Sequence, residues 1–414
     1  MKKILLLSSI VILSLLNASA QVIADQVEMG SGYANQVFYH FNGTKTSVAA
    51  DAWDLGFSTS LFQVAVISNQ KNITVYKIEG VDSSAYASIS DTAGLVLVAQ
   101  YNSEDDWYAG AFNRGANEAD PFDFGWGIYD FVSHTVFGNK LFIVTDGSAW
   151  YKFWIRYKSP DGTFALRYAN LNGGADANLY LNTALYPAKN YVYLTLESGA
   201  ISDLEPAATD WQLLFTQYIT DFPGLGPYLV TGILQHPEIL TAEASGVDVN
   251  TVSYLNYSAA YSTSISEIGY DWKYFDLNIF QYVIEDSLIY FVKDAAQNIV
   301  SIRFTGFDNV TGTSAFETEQ LLTGISNIAG DIIQAGVYPN PAGSTTQLVY
   351  DANEATTVQL TVVDLMGRTV QVNTVKALKG FNQESLDLSG LISGMYHLVL
   401  TAGEQRIALK LQVL

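Results

Sequence analysis

The chain has 414 residues, of which 49% are hydrophobic, 13% aromatic and only 15% charged, and it contains no cysteine. A net charge of −21 argues against nucleic acid and anionic membrane surfaces as partners, since phosphates are bound chiefly by Lys and Arg. Without cysteine there is neither a disulfide nor a lipid-bearing N-terminal thiol, so an exported form has to rest on its hydrophobic core.

The first element is an export signal. Lys2 and Lys3 precede an apolar run at 4–16, and Ala18-Ser19-Ala20 supplies small residues for cleavage between Ala20 and Gln21. This predicts a signal peptide over residues 1–20. The run is shorter than the roughly 20 residues of a membrane-spanning helix, so no transmembrane segment is expected.

The chain beyond it reads as all-β, because aromatic and β-branched residues recur at every second position. Residues 50–57 contain Trp53, Leu55 and Phe57 in alternation, and residues 208–215 contain Trp211, Leu213 and Phe215. Each block follows an aromatic strand, at 37–41 and 191–196 respectively. A second pair of segments, 153–171 and 289–307, aligns without gaps as strand, turn, strand. Asp161-Gly162 forms one turn and Gln297-Asn298 the other. These matches predict a tandem duplication with one β domain over 21–185 and the next over 186–327. The first copy is longer, with loop-like segments at 102–107 and 113–122 and further strands at 63–67, 73–77, 95–99 and 140–144. Trp126 and Trp272 form a looser third pair, each followed by aromatics and an Asp.

Catalytic motifs are missing: no Gly-x-Ser-x-Gly elbow, no His-Glu-x-x-His and no phosphate-cradling glycine loop. No enzyme is expected, although a hydrolase with scattered carboxylates is an alternative, because the fold alone brings glycosidase acids together. The acidic runs at 104–106 and 172–176 lack EF-hand spacing, so no metal site is assigned.

A linker at 328–336 leads to short strands at 346–350, 357–364, 394–400 and 407–413, which predict a small β-sandwich over 337–414. Its marked residues are Tyr338-Pro339-Asn340-Pro341, the turn ending at Gly367, Gly394 and Tyr396 in a further strand, and Lys410 near the terminus. On these residues the segment resembles the type A sorting domain of the type IX secretion system of Bacteroidota. The resemblance implies an address read by the secretion machinery and then usually removed, with the cargo attached to surface lipopolysaccharide or released.

The two copies in the cargo resemble the HmuY-like family of Bacteroidota surface proteins, through the Trp-x-Leu-x-Phe blocks and the late hairpins. That resemblance implies haem as a candidate cofactor, held by His or Met side chains. The candidate ligands are Met29, His40 and His134 in the first copy and His236 in the second. His40 and His134 read as strand residues in step with their aromatic neighbours, and His236 as a loop residue free to face a ligand. The leading expectation is therefore a surface protein that binds a ligand without catalysis. Glycan binding or structural adhesion is the rival class, favoured if Tyr and Trp platforms are exposed on a β face.

Overall fold

A computed structural model describes residues 22–414 apart from Glu118, Ala175, 323–331, Pro339, 365–367 and Glu404. The signal peptide with Ala20 and Gln21 lies outside the described residues, as do Pro339 and Gly367. Apart from the turn 295–298, the chain divides between residues 321 and 322 into a cargo unit and a C-terminal unit.

The cargo consists of two β-sandwich lobes. In lobe one, strands Ala177–Asn182, Thr163–Asn170, Trp150–Lys158, Phe142–Thr145, Thr74–Ile78 and Leu97–Gln100 lie side by side, with the hairpin Gly127–Asp130 and Thr135–Gly138 attached. This sheet faces a smaller one, Ala200–Ser202, Tyr191–Thr195, Leu55–Ser58 and Val66–Ser68, across a core that includes Phe57, Trp126, Phe153, Phe164 and Leu194. In lobe two, Val22–Glu28, Thr313–Leu322, Ile299–Asp308, Ile289–Lys293 and Leu240–Ala244 face Gly226–Gln235, Leu213–Phe222, Asn35–Tyr39 and Lys45–Ala49. Tyr39, Phe215, Trp272, Tyr290 and Phe304 fill that core.

Strand pairing crosses the boundary expected at 185. The hairpin at 35–49 pairs with Leu213–Phe222, and the hairpin at 191–202 pairs with Leu55–Ser58. Each Trp block therefore pairs with the aromatic hairpin of the other expected copy. The registers match: Val37 faces Phe215 and Tyr39 faces Leu213, just as Val192 faces Phe57 and Leu194 faces Leu55. Trp211 meets Phe38 at 5.1 Å and Trp53 meets Tyr193 at 4.9 Å between ring centroids. Hydrogen bonds repeat as well. Gln212 N–H donates to Tyr39 O at 2.9 Å and Asp54 N–H to Leu194 O at 3.0 Å. The Gln212 side-chain oxygen accepts from Phe41 N–H, and the Asp54 carboxylate accepts from Leu196 N–H. Sequence order places each hairpin beside its own Trp block, but order along a chain does not fix which copy it pairs with.

The outer faces of the two small sheets meet at a seam. Trp107, from the loop expected at 102–107, packs against Trp211, Tyr191 and Tyr218, and its indole N–H donates to Gln235 O at 2.8 Å. A loop residue thus plugs the junction of the lobes.

The late hairpins agree only in part. Leu166 and Tyr168 face the core of lobe one as Ile302 and Phe304 face that of lobe two. In the first strands, however, Phe153 and Ile155 correspond to Tyr290 and Val292, while Ile289 and Phe291 face the opposite side. A register shift between Ile155 and Tyr157 has no counterpart in the Tyr290–Lys293 pairing. One extra residue in a strand turns every later side chain to the other face, so the gap-free alignment is out of phase there.

The C-terminal unit is a sandwich of three strands, Ile332–Tyr338, Thr345–Ala352 and Gly380–Asp387, and four, Thr369–Ala377, Thr356–Asp364, Gly394–Ala402 and Gln405–Val413. Leu348, Leu360, Leu398, Leu400 and Leu411 form its core. The linker expected at 328–336 is strand from Ile332 onward, paired with Thr345–Ala352.

Candidate functional sites

The looser pair Trp126 and Trp272 marks a cleft in each lobe. Trp126 and Trp272, both fully buried, each lead into a hairpin whose four-residue turn ends in a left-handed residue: His134 and Phe280, both at φ 52. Gly127 faces Gly138 and Asp130 faces Thr135 in one hairpin, as Lys273 faces Ile284 and Asp276 faces Gln281 in the other. The walls correspond residue by residue. Phe124, Tyr129 and Val136 line the cleft of lobe one, and Tyr270, Phe275 and Tyr282 line that of lobe two. Leu61, Phe62 and Val64 complete the first wall, while Tyr228, Leu229 and Thr231 complete the second.

Lobe two's cleft has a volume of about 650 Å³ and is also bounded by Tyr33, Phe222, Tyr274, Asp271 and Lys273. Tyr228, Tyr274 and Phe275 are half exposed at this cleft. Lys273 is buried, 4.1 Å from the Trp272 ring centroid and 4.6 Å from that of Phe307, and donates to Thr231 O at 2.8 Å. Burial pulls its ammonium down to about 7, against the opposing field of Asp271. Lobe one's cleft, about 440 Å³, is more apolar, with Phe62 almost fully exposed at its rim and Lys158 buried at its wall.

The four candidate haem ligands are not brought together. Met29 is buried in the core of lobe two. His40 is not a strand residue: it opens the turn after Asn35–Tyr39, and its Nδ1 accepts from Asn42 N–H at 3.0 Å. His134 is likewise outside the strands, exposed, with Nδ1 2.7 Å from Tyr129 Oη. His236 is not a free loop residue. It is buried at the seam with Nε2 2.8 Å from the Asn190 side-chain amide and Nδ1 accepting from Glu238 N–H, so both ring nitrogens are engaged. Burial pulls its pKa down to about 4. No two of the four line one described cleft.

At the seam, the buried Glu205 carboxylate accepts from the backbone N–H groups of Asn190 and Tyr191 and from Tyr193 Oη at 2.9 Å. Burial nevertheless raises its pKa to about 7. The indole N–H groups of Trp53 and Trp211 have no partner there. The seam cavity, about 50 Å³, is far below the roughly 300–1,000 Å³ usual for ligand sites.

An acidic cleft in lobe one holds Asp51, Asp54, Asp146 and Glu197 beside Lys71. Among the described residues no group of three His, Asp or Glu is arranged to hold a metal. Asp54 already has a structural role as the counterpart of Gln212 in clamping an exchanged hairpin.

In the C-terminal unit, Asn340 ties the expected Tyr-Pro-Asn-Pro segment to the last strand. Its side chain donates to Lys410 O at 2.7 Å and accepts from Gln412 N–H at 2.9 Å, and Ala342 N–H donates to Gln412 O. Pro341 follows through a cis peptide bond. Gly394 faces Val413 across the last hairpin, and the nearly buried Tyr396 donates through its hydroxyl to Ile392 O at 2.7 Å. Asp364 and Arg368 form an ion pair at 2.7 Å. The side chain of Asn340 and the backbone of Ala342 therefore tie the start of the unit to its last strand.

No curated protein matches the chain. Among the described residues no helix is long and apolar enough to cross a membrane. Residues 336–413 match the family described as "Secretion system C-terminal sorting domain", and the C-terminal unit is the sorting tail of a protein exported through the type IX secretion machinery to the cell surface or beyond.

Proposed function

We propose that the exported cargo is a non-catalytic binding protein whose lobe-two cleft takes a surface or environmental glycan. The carrying observation is the half-exposed Tyr228, Tyr274 and Phe275 around a cleft of about 650 Å³, a volume usual for ligand sites. Apolar ring faces cover the C–H face of a sugar, while Gln217, Asp271 and Thr231 offer polar edges. The cleft's lining holds one carboxylate, Asp271, where glycoside hydrolysis ordinarily uses two, which supports binding without cleavage. Calorimetric titration of the full chain with neutral and acidic oligosaccharides tests this. At least one should bind, and Tyr274→Ala should weaken it tenfold or more with the melting temperature unchanged. Binding that ignores Tyr228→Ala and Tyr274→Ala, or no binding to any oligosaccharide, sinks the reading.

A second reading is haem capture, supported by the HmuY-like sequence resemblance and by His134 beside Tyr129 at the lobe-one cleft. It requires a Soret shift with stoichiometric haemin that His134→Ala removes. Attachment of the processed cargo to lipopolysaccharide belongs to the same proposal. Finding the mature protein in outer-membrane fractions with no associated lipopolysaccharide would overturn that part.

A further inference from the structure

Lobe one's cleft is chemically unlike its counterpart. Leu61, Phe62, Val64, Phe124 and Val136 give it apolar walls, and Phe62 stands 94% exposed at its edge. Beside it Val132 is 90% exposed and Phe131 61% exposed, in the turn that carries His134. Set into this wall is Lys158, only 4% exposed. Its ammonium donates to the carbonyls of Ser60 at 3.2 Å and Leu61 at 2.8 Å, so two of its three protons are placed. No carboxylate pairs with it among the described residues: burial alone perturbs it, pulling its pKa down to about 8. The contrast with Lys273 is direct, because that ammonium has Asp271 nearby.

A buried cation without a counter-ion is costly unless an anion completes it. Here Lys158 lines an apolar cleft of about 440 Å³, well within the range of small-molecule sites, and among the described residues its ammonium has only the Phe164 ring, 5.7 Å to the centroid, beside its two carbonyl acceptors. From this juxtaposition we infer that the lobe-one cleft binds an amphiphilic carboxylate, with an aliphatic chain against Phe62, Phe124 and Val136 and its head group on Lys158. Charge complementarity selects this occupant. With a net charge of −21, the protein's overall field disfavours anions, so a preference for carboxylate has to come from the local cation.

The test uses the full chain and a fluorescent dansyl-undecanoate probe, displaced by dodecanoate, dodecanol or dodecylammonium. One saturable site should appear, with dodecanoate binding at least tenfold more tightly than either competitor. Phe62→Asp lies on the surface and should leave the melting temperature unchanged while weakening dodecanoate tenfold or more. Lys158→Met should erase the preference for carboxylate over alcohol, and Lys158→Arg should keep it. No probe binding, equal affinity for dodecanoate and dodecylammonium, or full affinity in Phe62→Asp would each overturn the assignment. If Lys158→Met fails to fold, the head-group comparison and Phe62→Asp still decide it.

Discussion

The seam between the lobes contains two titrating groups whose effects on stability oppose each other. Glu205 has its pKa raised from 4.5 to about 7, so between those values the folded protein keeps a proton that the unfolded chain has released. Stability from this group is present below pH 4.5 and falls as pH rises through 7. At about 1.4 kcal/mol per pH unit, the interval amounts to about 3 kcal/mol. His236 has its pKa lowered from 6.5 to about 4, so between those values the unfolded chain is charged and the folded ring is not. Its effect is a rise in stability with pH, again of about 3 kcal/mol. The wild type should therefore change little between pH 4.5 and 6.5 on account of this pair. Glu205→Gln keeps the shape and can keep the bonds to Asn190, Tyr191 and Tyr193 while removing one titration. The variant should match the wild type at pH 4.5 and exceed it by about 3 kcal/mol above pH 7. All seven Trp residues lie in the cargo, so tryptophan fluorescence during urea unfolding reports on that unit alone. A difference between variant and wild type that stays constant from pH 4.5 to 7.5 would refute the reasoning.

Three further outcomes follow from the fold. Trp53→Ala and Trp211→Ala should each cost about 3–5 kcal/mol in urea unfolding, since both indoles are buried against equivalent aromatic partners. Fragments cut between residues 185 and 186 should fail to fold separately but recover native fluorescence when refolded together, because each lobe needs a hairpin from the other fragment; independent folding of either would contradict the exchange. Deletion from residue 332 onward should leave the cargo's melting transition intact while abolishing its appearance outside the cell, as judged by fractionation.

The paired Trp blocks that suggested a duplication lie in matching strand registers, and the all-β class and the export tail could be read from alternation and from the terminal motif. The exchange could not, because Val37 and Val192 fit either Trp block equally well by side-chain type. The phase of the late hairpin was hidden too: a bulge near Arg156 leaves no signature in residue type, yet it decides whether Ile289 or Tyr290 faces the core. For the clefts, the useful signal was the loose pair Trp126 and Trp272. Following it through the next residues would have aligned His134 with Phe280 and shown that the turn, not a strand, carries the imidazole. Lys158 and Lys273 gave no signal, since a lysine in a β sequence normally reads as solvated and only the fold reveals that these two are buried.

Exchange also explains how two related clefts could diverge within one protein. Because each small sheet contains strands from both copies, either lobe loses a hairpin if the copies separate, so the lobes are kept as a pair whatever each one binds. The backbone positions around the clefts are then fixed by shared pairing, and side chains are left to differ. One position shows the change in detail. In lobe one the Trp126 indole N–H donates to Val64 O at 2.9 Å; in lobe two the equivalent carbonyl, on Thr231, accepts from Lys273 Nζ at 2.8 Å. Gly127 stands where lobe two has Lys273, and the Trp272 indole N–H is left without a partner. A single side chain thereby takes over a structural hydrogen bond and brings a cation with Asp271 nearby to the second cleft. The first cleft stays apolar at that position and carries its own cation, unpaired, on Lys158. Equivalent scaffolds with differently placed charge favour different ligands, which is why the two clefts are assigned separate chemistries.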